Sequence, residues 1–256
     1  MLRSWYTELQ NRNMLLAKSG GFCFLLGVLL IFLPLVDPRE LQGAYVWTKP
    51  AKFFFSVGIY FWTIGWLMEY LQNRNFVKRI SWGIWILMLI ELVIITYQAS
   101  LGKLSHFNIS SLFDGILFQI MGVAIVLNSV LVILVFLRFR KINDLPPGYL
   151  MGIRLGLLIF LVAGFEGFVM SVNLKHTIGA VDGQEGFPFL GWAKAYGDLR
   201  IFHFLGLHAL QVLPIVAWLF LRNDPKKVLT FGLVYFLLSF GTFWMALQGK
   251  GIAEWF

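Results

Sequence analysis

Four histidines are the side chains best suited to bind a metal ion or to exchange a proton near neutral pH. They are His106, His176, His203 and His208. His203 and His208 are five positions apart in the sequence, which corresponds to about 140° around a regular helix. A metal-binding helix instead places its histidines four positions apart on one face. We therefore expect at most one of this pair to ligate a given metal centre.

Basic, amide and acidic side chains accompany the histidines. The basic ones are Lys49, Lys52 and Arg200. We expect them at the same membrane face as the histidines, where they would bind an anionic group such as the propionates of a haem. Gln211 follows His208 by three positions and shares its helical face, and we expect it to contact a bound cofactor too. Asp114 begins an apolar stretch, and we predict that it ligates a metal or acts as a base beside one.

Two further carboxylic acids, Glu91 and Glu166, lie deep inside apolar stretches. An ionisable group at that depth in a membrane protein usually marks a functional site. The alternative is a protonated carboxyl group that is hydrogen-bonded to a neighbouring helix. The sequence leaves both interpretations open.

The composition places these residues in a membrane protein. Of the 256 residues, 59% are hydrophobic and 13% are charged, which is too few charges for the surface of a soluble domain. The net charge of +8 would suit nucleic-acid binding in a soluble protein. Here the basic residues lie between apolar stretches, so we assign them a role in membrane topology and predict no nucleic-acid partner.

Seven stretches are long and apolar enough to cross the hydrocarbon core as helices. They cover residues 19–36, 51–71, 80–100, 113–137, 150–173, 200–221 and 228–247. In lipid, backbone groups must be hydrogen-bonded within the protein, and an odd number of long apolar segments satisfies this as helices rather than as a barrel. The sequence predicts an all-α integral membrane protein in which residues 1–256 form a single helical bundle.

The distribution of charge predicts the orientation. The N-terminal tail and the links on its side of the bundle, counted together with Arg154 at the adjoining end of a span, contain 13 of the 21 lysines and arginines. Basic residues are retained on the cytoplasmic side, so the N-terminus is predicted in the cytoplasm and the C-terminus outside. We expect a cell membrane, with a bacterial inner membrane as the simplest case. This topology places all four histidines in the outer half.

The longest link, residues 174–199, lies on the predicted outer side and is rich in glycine and aromatic residues. It exceeds the usual length of a connection between helices. We predict a lid that folds back over the bundle, against the alternative of a flexible surface loop.

Three functions fit this arrangement. The first is redox chemistry on haem b or another transition-metal cofactor, with His203 and one other histidine as ligands. The partners expected are the lipid bilayer and a lipid-like or quinone-like small molecule.

The second function is zinc-dependent hydrolysis of a lipid-like substrate, because three histidines and a water molecule suffice for a catalytic zinc. In its seven spans the chain resembles ceramidase-like and progestin-receptor-like hydrolases. It departs from their pattern because its last span contains no histidine.

The third function is a transporter or sensor without catalysis, in which the histidines respond to pH or contact a substrate. In that case a small anion would bind near Lys49, Lys52 and Arg200.

Overall fold

The computed structural model describes residues 2–255 and is helical apart from short hairpins and loops. The helices are α1 (Leu2–Arg12), α2 (Met14–Phe32), α3 (Thr48–Met68), α4 (Arg74–Ser100), α5 (Leu112–Phe139), α6 (Pro147–Asn173), α7 (Arg200–Phe220) and α8 (Pro225–Leu247). Within the described residues, the seven helices α2 to α8 are long and apolar enough to cross a membrane. The prediction of seven apolar helices is therefore confirmed.

Two antiparallel hairpins lie between the helices. The first pairs β1 (Glu40–Leu41) with β2 (Ala44–Tyr45), and the second pairs β3 (Thr177–Ile178) with β4 (Gly197–Asp198). Short 3-10 turns extend α2 to Leu35 and α3 to Leu71. Each of these four strands is only two residues long, so the helices determine the architecture.

Several helices begin earlier than their apolar stretches because polar side chains cap them. The side-chain oxygen of Asn13 accepts a hydrogen bond from the backbone N–H of Leu16 at 3.1 Å, and α2 begins at Met14 rather than at residue 19. Asn73 caps α4 in the same way. These caps satisfy backbone donors of the first turn, which in each helix precedes the stretch predicted from hydropathy.

Contacts between residues divide the chain into two compact units, with the boundary between Leu131 and Val132 inside α5. In the first unit, α2 and α3 approach closely at two glycines. A Cβ atom on Gly58 would lie 3.2 Å from the carbonyl oxygen of Gly20. The prediction of a single domain concerns how the units behave together, and it stays a prediction.

Helix α1, in the first unit, was not expected from the sequence, because its residues are polar overall. It packs through Leu9, which is fully buried, and through Trp5, which stacks on Trp66 at 6.0 Å between ring centroids. The guanidinium group of Arg12 lies 4.1 Å above the same Trp66 ring. Contacts with aromatic side chains of α3 thus fix a helix that has no long apolar stretch.

The second unit contains α6, α7 and α8 and the long link before α7. The hydroxyl group of Tyr235 on α8 donates to the carbonyl oxygen of Leu205 on α7 at 2.6 Å. The guanidinium group of Arg154 donates to the carbonyl oxygens of Phe139 and Ile142 at 3.1 and 2.8 Å. This arginine therefore satisfies backbone acceptors at the end of α5.

The long link, residues 174–199, is folded against its own unit. The carboxylate of Asp182 accepts from the backbone N–H groups of His176 and Thr177 at 3.2 and 2.9 Å. Farther along, Tyr196 forms a backbone bridge with Lys250, and the N–H of Ala253 donates to the carbonyl oxygen of Lys194 at 3.3 Å. Whether this folded link acts as a lid stays a prediction.

Candidate functional site

The site in the second unit lies where α6 and α7 approach each other through small residues. A Cβ atom on Gly206 of α7 would collide with the side chain of Ala163 on α6. A Cβ atom on Gly156 of α6 would lie 2.9 Å from the carbonyl oxygen of Ala209. Because no bulky side chain separates the helices here, a side chain on α7 can reach the backbone of α6.

His203 uses this approach to contact two acceptors on α6. Its Nδ1 atom lies 2.9 Å from the carbonyl oxygen of Ala163 and 3.2 Å from Oε2 of Glu166. In the described part of the chain, neither carboxyl oxygen of Glu166 forms a hydrogen bond of good geometry. The hydrogen bond of Nδ1 therefore goes to Ala163, and the approach of Oε2 is an electrostatic contact.

The Ala163 contact determines which nitrogen of His203 carries a proton. A carbonyl oxygen can only accept a hydrogen bond, so Nδ1 must be the donor. The opposite nitrogen, Nε2, is then the atom that can accept an external proton or bind a metal. The side chain of His203 is 30% exposed, whereas that of Glu166 is 2% exposed. The imidazole is thus the accessible member of the pair and the carboxyl group the enclosed one.

Arg200 begins α7 one turn before His203, and its charge is paired. Its Nε and Nη2 atoms donate to the two carboxylate oxygens of Asp198 at 2.9 and 2.6 Å. The same carboxylate accepts from the backbone N–H groups of Arg200 and Ala193 at 3.1 and 2.8 Å. Binding of an anion by Arg200 stays a prediction. Such an anion would have to compete with Asp198 for the guanidinium group.

The other two histidines of this unit have different partners. Nδ1 of His208 lies 3.2 Å from Oε1 of Gln211, as their spacing of three residues predicts. The ring of His208 also packs against Phe204, with 4.4 Å between centroids. Nδ1 of His176 lies 3.0 Å from a carboxylate oxygen of Asp182, inside the long link.

The long link also covers part of α7. The Trp192 ring meets Phe204 edge to face, with 5.4 Å between centroids, and Phe204 in turn packs on His208. Within the same link, Nζ of Lys194 donates to Glu185 at 2.6 Å and holds the pKa of that carboxyl below its usual range. This aromatic contact and the pair of Asp198 with Arg200 join the link to the helix that carries His203.

In the first unit, His106 lies among aromatic side chains. Its ring centroid is 5.5 Å from that of Phe53 and 6.4 Å from that of Phe118. Nδ1 lies 3.1 Å from the hydroxyl oxygen of Ser105. The surroundings of this histidine are therefore mainly apolar, with one hydroxyl partner at Nδ1.

Asp114 is buried at the start of α5 and accepts from several side chains. Lys103 Nζ approaches Oδ2 to 3.0 Å, and Gln98 Nε2 donates to Oδ1 at 3.0 Å. The hydroxyl groups of Ser110 and Ser111 also donate to Oδ2, at 3.2 and 2.6 Å. Both oxygens are occupied, so the predicted metal ligation would require these donors to move.

Glu91 on α4 is the second deeply placed carboxylic acid, with a relative exposure of 3%. Its Oε1 atom forms no hydrogen bond to any residue between 2 and 255. Lys49, at the start of α3, is the charged group that interacts with it electrostatically. Lys52 is half-buried one turn farther along α3.

Among residues 2–255, no group of three or more histidine, cysteine, aspartate and glutamate side chains is arranged to hold a metal ion. The following assignments as metal ligands stay predictions: His106, His176, His203, His208 and Asp114. The assignments of Lys49, Lys52, Arg200 and Gln211 to cofactor binding stay predictions too.

The backbone acceptor at Ala163 was missed by the sequence analysis. A carbonyl group has no signature in the sequence, but the small residues that expose it do. Gly152, Gly156 and Ala163 recur at spacings of four and seven along α6, which puts them on one face of the helix. That pattern is typical of a close contact between membrane helices.

Comparisons with other proteins do not add to this geometry. Neither the family models nor the curated proteins nor the solved structures compared with this chain match it.

Proposed function

We propose that this chain is a proton-coupled transporter or sensor of the cell membrane that uses Glu166 and His203 as its proton-binding pair. One observation supports this proposal above the others. Glu166 is buried in an apolar helix, no described residue donates a hydrogen bond of good geometry to it, and Nδ1 of His203 lies 3.2 Å from its Oε2 atom. Chains of carboxylates and histidines inside membrane helices are typical of proton relays.

The geometry supports a simple exchange. A proton from the aqueous side binds at Nε2 of His203, because Nδ1 is already a donor to Ala163. The pair then holds one proton, which can lie on the imidazole or on the carboxyl group of Glu166, and either arrangement leaves the pair without net charge. A buried carboxylate without a cationic partner is costly. The pair therefore releases its proton only when another cationic group takes the place of the proton beside Glu166. Proton release is thereby coupled to substrate entry or to a change in conformation.

The proposal includes an orientation. The N-terminus faces the cytoplasm and the link of residues 174–199 faces the outside, as the excess of basic residues on the opposite links indicates. In a bacterium this would be the inner membrane. A reporter fused after residue 255 that is active only in the cytoplasm would contradict this orientation.

Infrared spectroscopy of the reconstituted chain tests proton binding. We expect a pH-dependent carboxyl band that disappears in Glu166→Gln and changes in His203→Gln. The matched control is Glu185→Gln, which removes a carboxylate that is 84% exposed in the same unit. If the band persists in Glu166→Gln, or if no band depends on pH, the proposed pair does not exchange protons.

Proteoliposomes that contain a trapped pH indicator separate transport from sensing. An imposed membrane potential drives protons through a transporter, and Glu166→Gln abolishes this flux while Glu185→Gln retains it. A titrating band without flux would instead favour a sensor or a transporter that moves protons only together with its substrate, and the absence of both rejects the proposal.

A second candidate function, redox chemistry on haem or another metal, is favoured by a different property of His203. Histidines that ligate a metal usually donate their other ring N–H to a carbonyl or carboxylate. Nδ1 of His203 has both kinds of acceptor within 3.2 Å, which orients Nε2 as a ligand atom. Zinc hydrolysis needs three ligands, and no described cluster supports it.

The visible spectrum of purified chain, before and after reduction with dithionite, tests the redox function. A Soret band that sharpens on reduction and is lost in His203→Ala would establish haem. Stoichiometric zinc without colour would favour the hydrolase. A colourless fraction that contains no metal, together with a pH-dependent carboxyl band, would support the proton-coupled function.

A further inference from the structure

The turn between α7 and α8 carries an open concavity of about 610 Å³. The continuous segment of residues 218–227 lines it, and we refer to this segment as the turn surface. It belongs to the end of α7 opposite to Arg200, and it has no part in the proton pair.

One side of the turn surface is apolar and the other is basic. Trp218, Leu219 and Phe220 are 43%, 62% and 75% exposed. Residues 222–227 have the sequence RNDPKK, in which three basic residues accompany one acidic residue. An exposed apolar patch directly beside a cluster of positive charge matches a molecule with an anionic head and a hydrocarbon tail.

The basic side chains differ in how they are paired. Nζ of Lys227 lies 3.1 Å from the carboxylate of Asp224, which also caps α8. Arg222 and Lys226 are exposed, and within residues 2–255 neither has a carboxylate at ion-pair distance. Two positive charges therefore remain for an external anion.

The structure holds Arg222 at the boundary between the two sides. The backbone N–H groups of Gly148 and Tyr149 donate to its carbonyl oxygen at 2.9 and 3.1 Å. Its guanidinium group lies 4.0 Å from the centroid of the Trp218 ring, and Tyr149 packs edge to face against Trp218 at 4.9 Å between centroids. The turn is thus anchored to α6, and its arginine is oriented before any ligand binds.

We propose that the turn surface is a binding site for one anionic phospholipid. The phosphate group contacts Arg222 and Lys226, because guanidinium and ammonium groups are the common partners of phosphates in proteins. An acyl chain lies along Trp218, Leu219 and Phe220. Exposed tryptophan is itself common at the level of lipid headgroups.

Native mass spectrometry of the full chain tests this site. The chain is released from micelles that contain equal amounts of dioleoylphosphatidylglycerol and dioleoylphosphatidylcholine, and the bound lipids are counted. We expect preferential retention of the phosphatidylglycerol. Each removed charge should lower this preference about fivefold, so Arg222→Gln with Lys226→Gln should lower it about 25-fold. The control, Lys78→Gln, removes an exposed lysine from the second turn of α4 in the first unit and should leave the preference unchanged.

Three outcomes would overturn the site: equal retention of both lipids, a double variant that retains phosphatidylglycerol as well as Lys78→Gln does, or complete displacement by glycerol phosphate, which lacks acyl chains. If the double variant does not fold, Lys226→Gln alone must still lower the preference about fivefold. None of these results bears on the infrared titration of Glu166. The lipid site and the proton pair can therefore be confirmed or rejected independently.

Discussion

Nδ1 of His203 donates a hydrogen bond to the carbonyl oxygen of Ala163 across the contact of α6 and α7, at 2.9 Å. Neutral His203 should therefore be the Nδ1–H tautomer, with Nε2 unprotonated. Nitrogen chemical shifts of the labelled imidazole check this expectation. In Glu166→Gln the tautomer should be retained, because the acceptor that fixes it is a backbone atom.

His106 serves as the comparison for this measurement. Its Nδ1 partner is the hydroxyl group of Ser105, which can either donate or accept, so its tautomer is not fixed in the same way. Nitrogen shifts that report Nε2–H in neutral His203 would contradict the assignment.

The close contact of α6 and α7 should be intolerant of added volume. In Gly206→Ala the new methyl group collides with Ala163, and we expect a loss of about 1–3 kcal/mol in the free energy of unfolding. Because the added methyl group pushes α6 and α7 apart, the distance between Nδ1 of His203 and the carbonyl oxygen of Ala163 should also increase. Unfolding in a denaturing detergent measures the first effect, and nitrogen shifts of His203 measure the second.

Gly167→Ala is the matched control for this substitution, since it adds the same methyl group to α6. Its Cβ atom would lie 3.6 Å from Cε1 of His203, an ordinary van der Waals distance. We expect it to keep wild-type stability. Equal effects of the two alanines would show that the crossing is not tightly packed.

Asp198 should be necessary for the fold of the long link where it meets α7. Its side chain has 0% exposure and binds both Arg200 and the backbone of Ala193. Asp198→Asn removes the charge that Arg200 neutralises, and we expect a loss of about 2 kcal/mol because Arg200 remains partly hydrated. Hydrogen exchange of residues 190–199 should accelerate. Loss of the exposed pair of Glu185 and Lys194 should change neither quantity much, so equal exchange in Asp198→Asn and Glu185→Gln would contradict the role of Asp198.

The link between α2 and α3 should contribute stability that depends on pH. Hydrogen bonds from Arg39, and then from the indole of Trp47, hold the pKa of Asp37 well below its ordinary value of 3.8. A carboxyl whose pKa is lowered by folding stabilises the protein above its unfolded pKa, and this contribution is lost as the pH falls toward the folded pKa. The stability difference between wild type and Asp37→Asn should therefore shrink below about pH 4. A difference that is constant across this range would contradict the assignment.

The apolar segments were predictable because hydrophobic length alone identifies a membrane helix. The first residues of these helices were harder to predict. Predicted starts at residues 19 and 80 became Met14 and Arg74 in the structure, since Asn13 and Asn73 cap turns that precede the stretches chosen by hydropathy. Charged residues interrupt the apolar pattern there, Lys18 in α2 and Arg74, Lys78 and Arg79 in α4, whereas an asparagine before a helix is a signal that could have located both starts.

The candidate site was predictable in its residues but not in its pairing. Glu166 and His203 each stand out as polar groups in apolar helices. Their contact depends on how α6 and α7 cross, which Ala163 and Gly206 determine. A single sequence shows which positions are small, but it does not show which small positions of two helices meet.

The backbone contacts of Lys194 and Tyr196 with residues 250–253 have a consequence for biogenesis. The ribosome completes the link of residues 174–199 about fifty residues before it reaches these partners, which takes several seconds at typical rates of synthesis. During that interval α7 and α8 are synthesised while the link remains without its final neighbours. A chaperone or protease would therefore encounter the nascent link before Lys194 and Tyr196 have formed their contacts with residues 250–253.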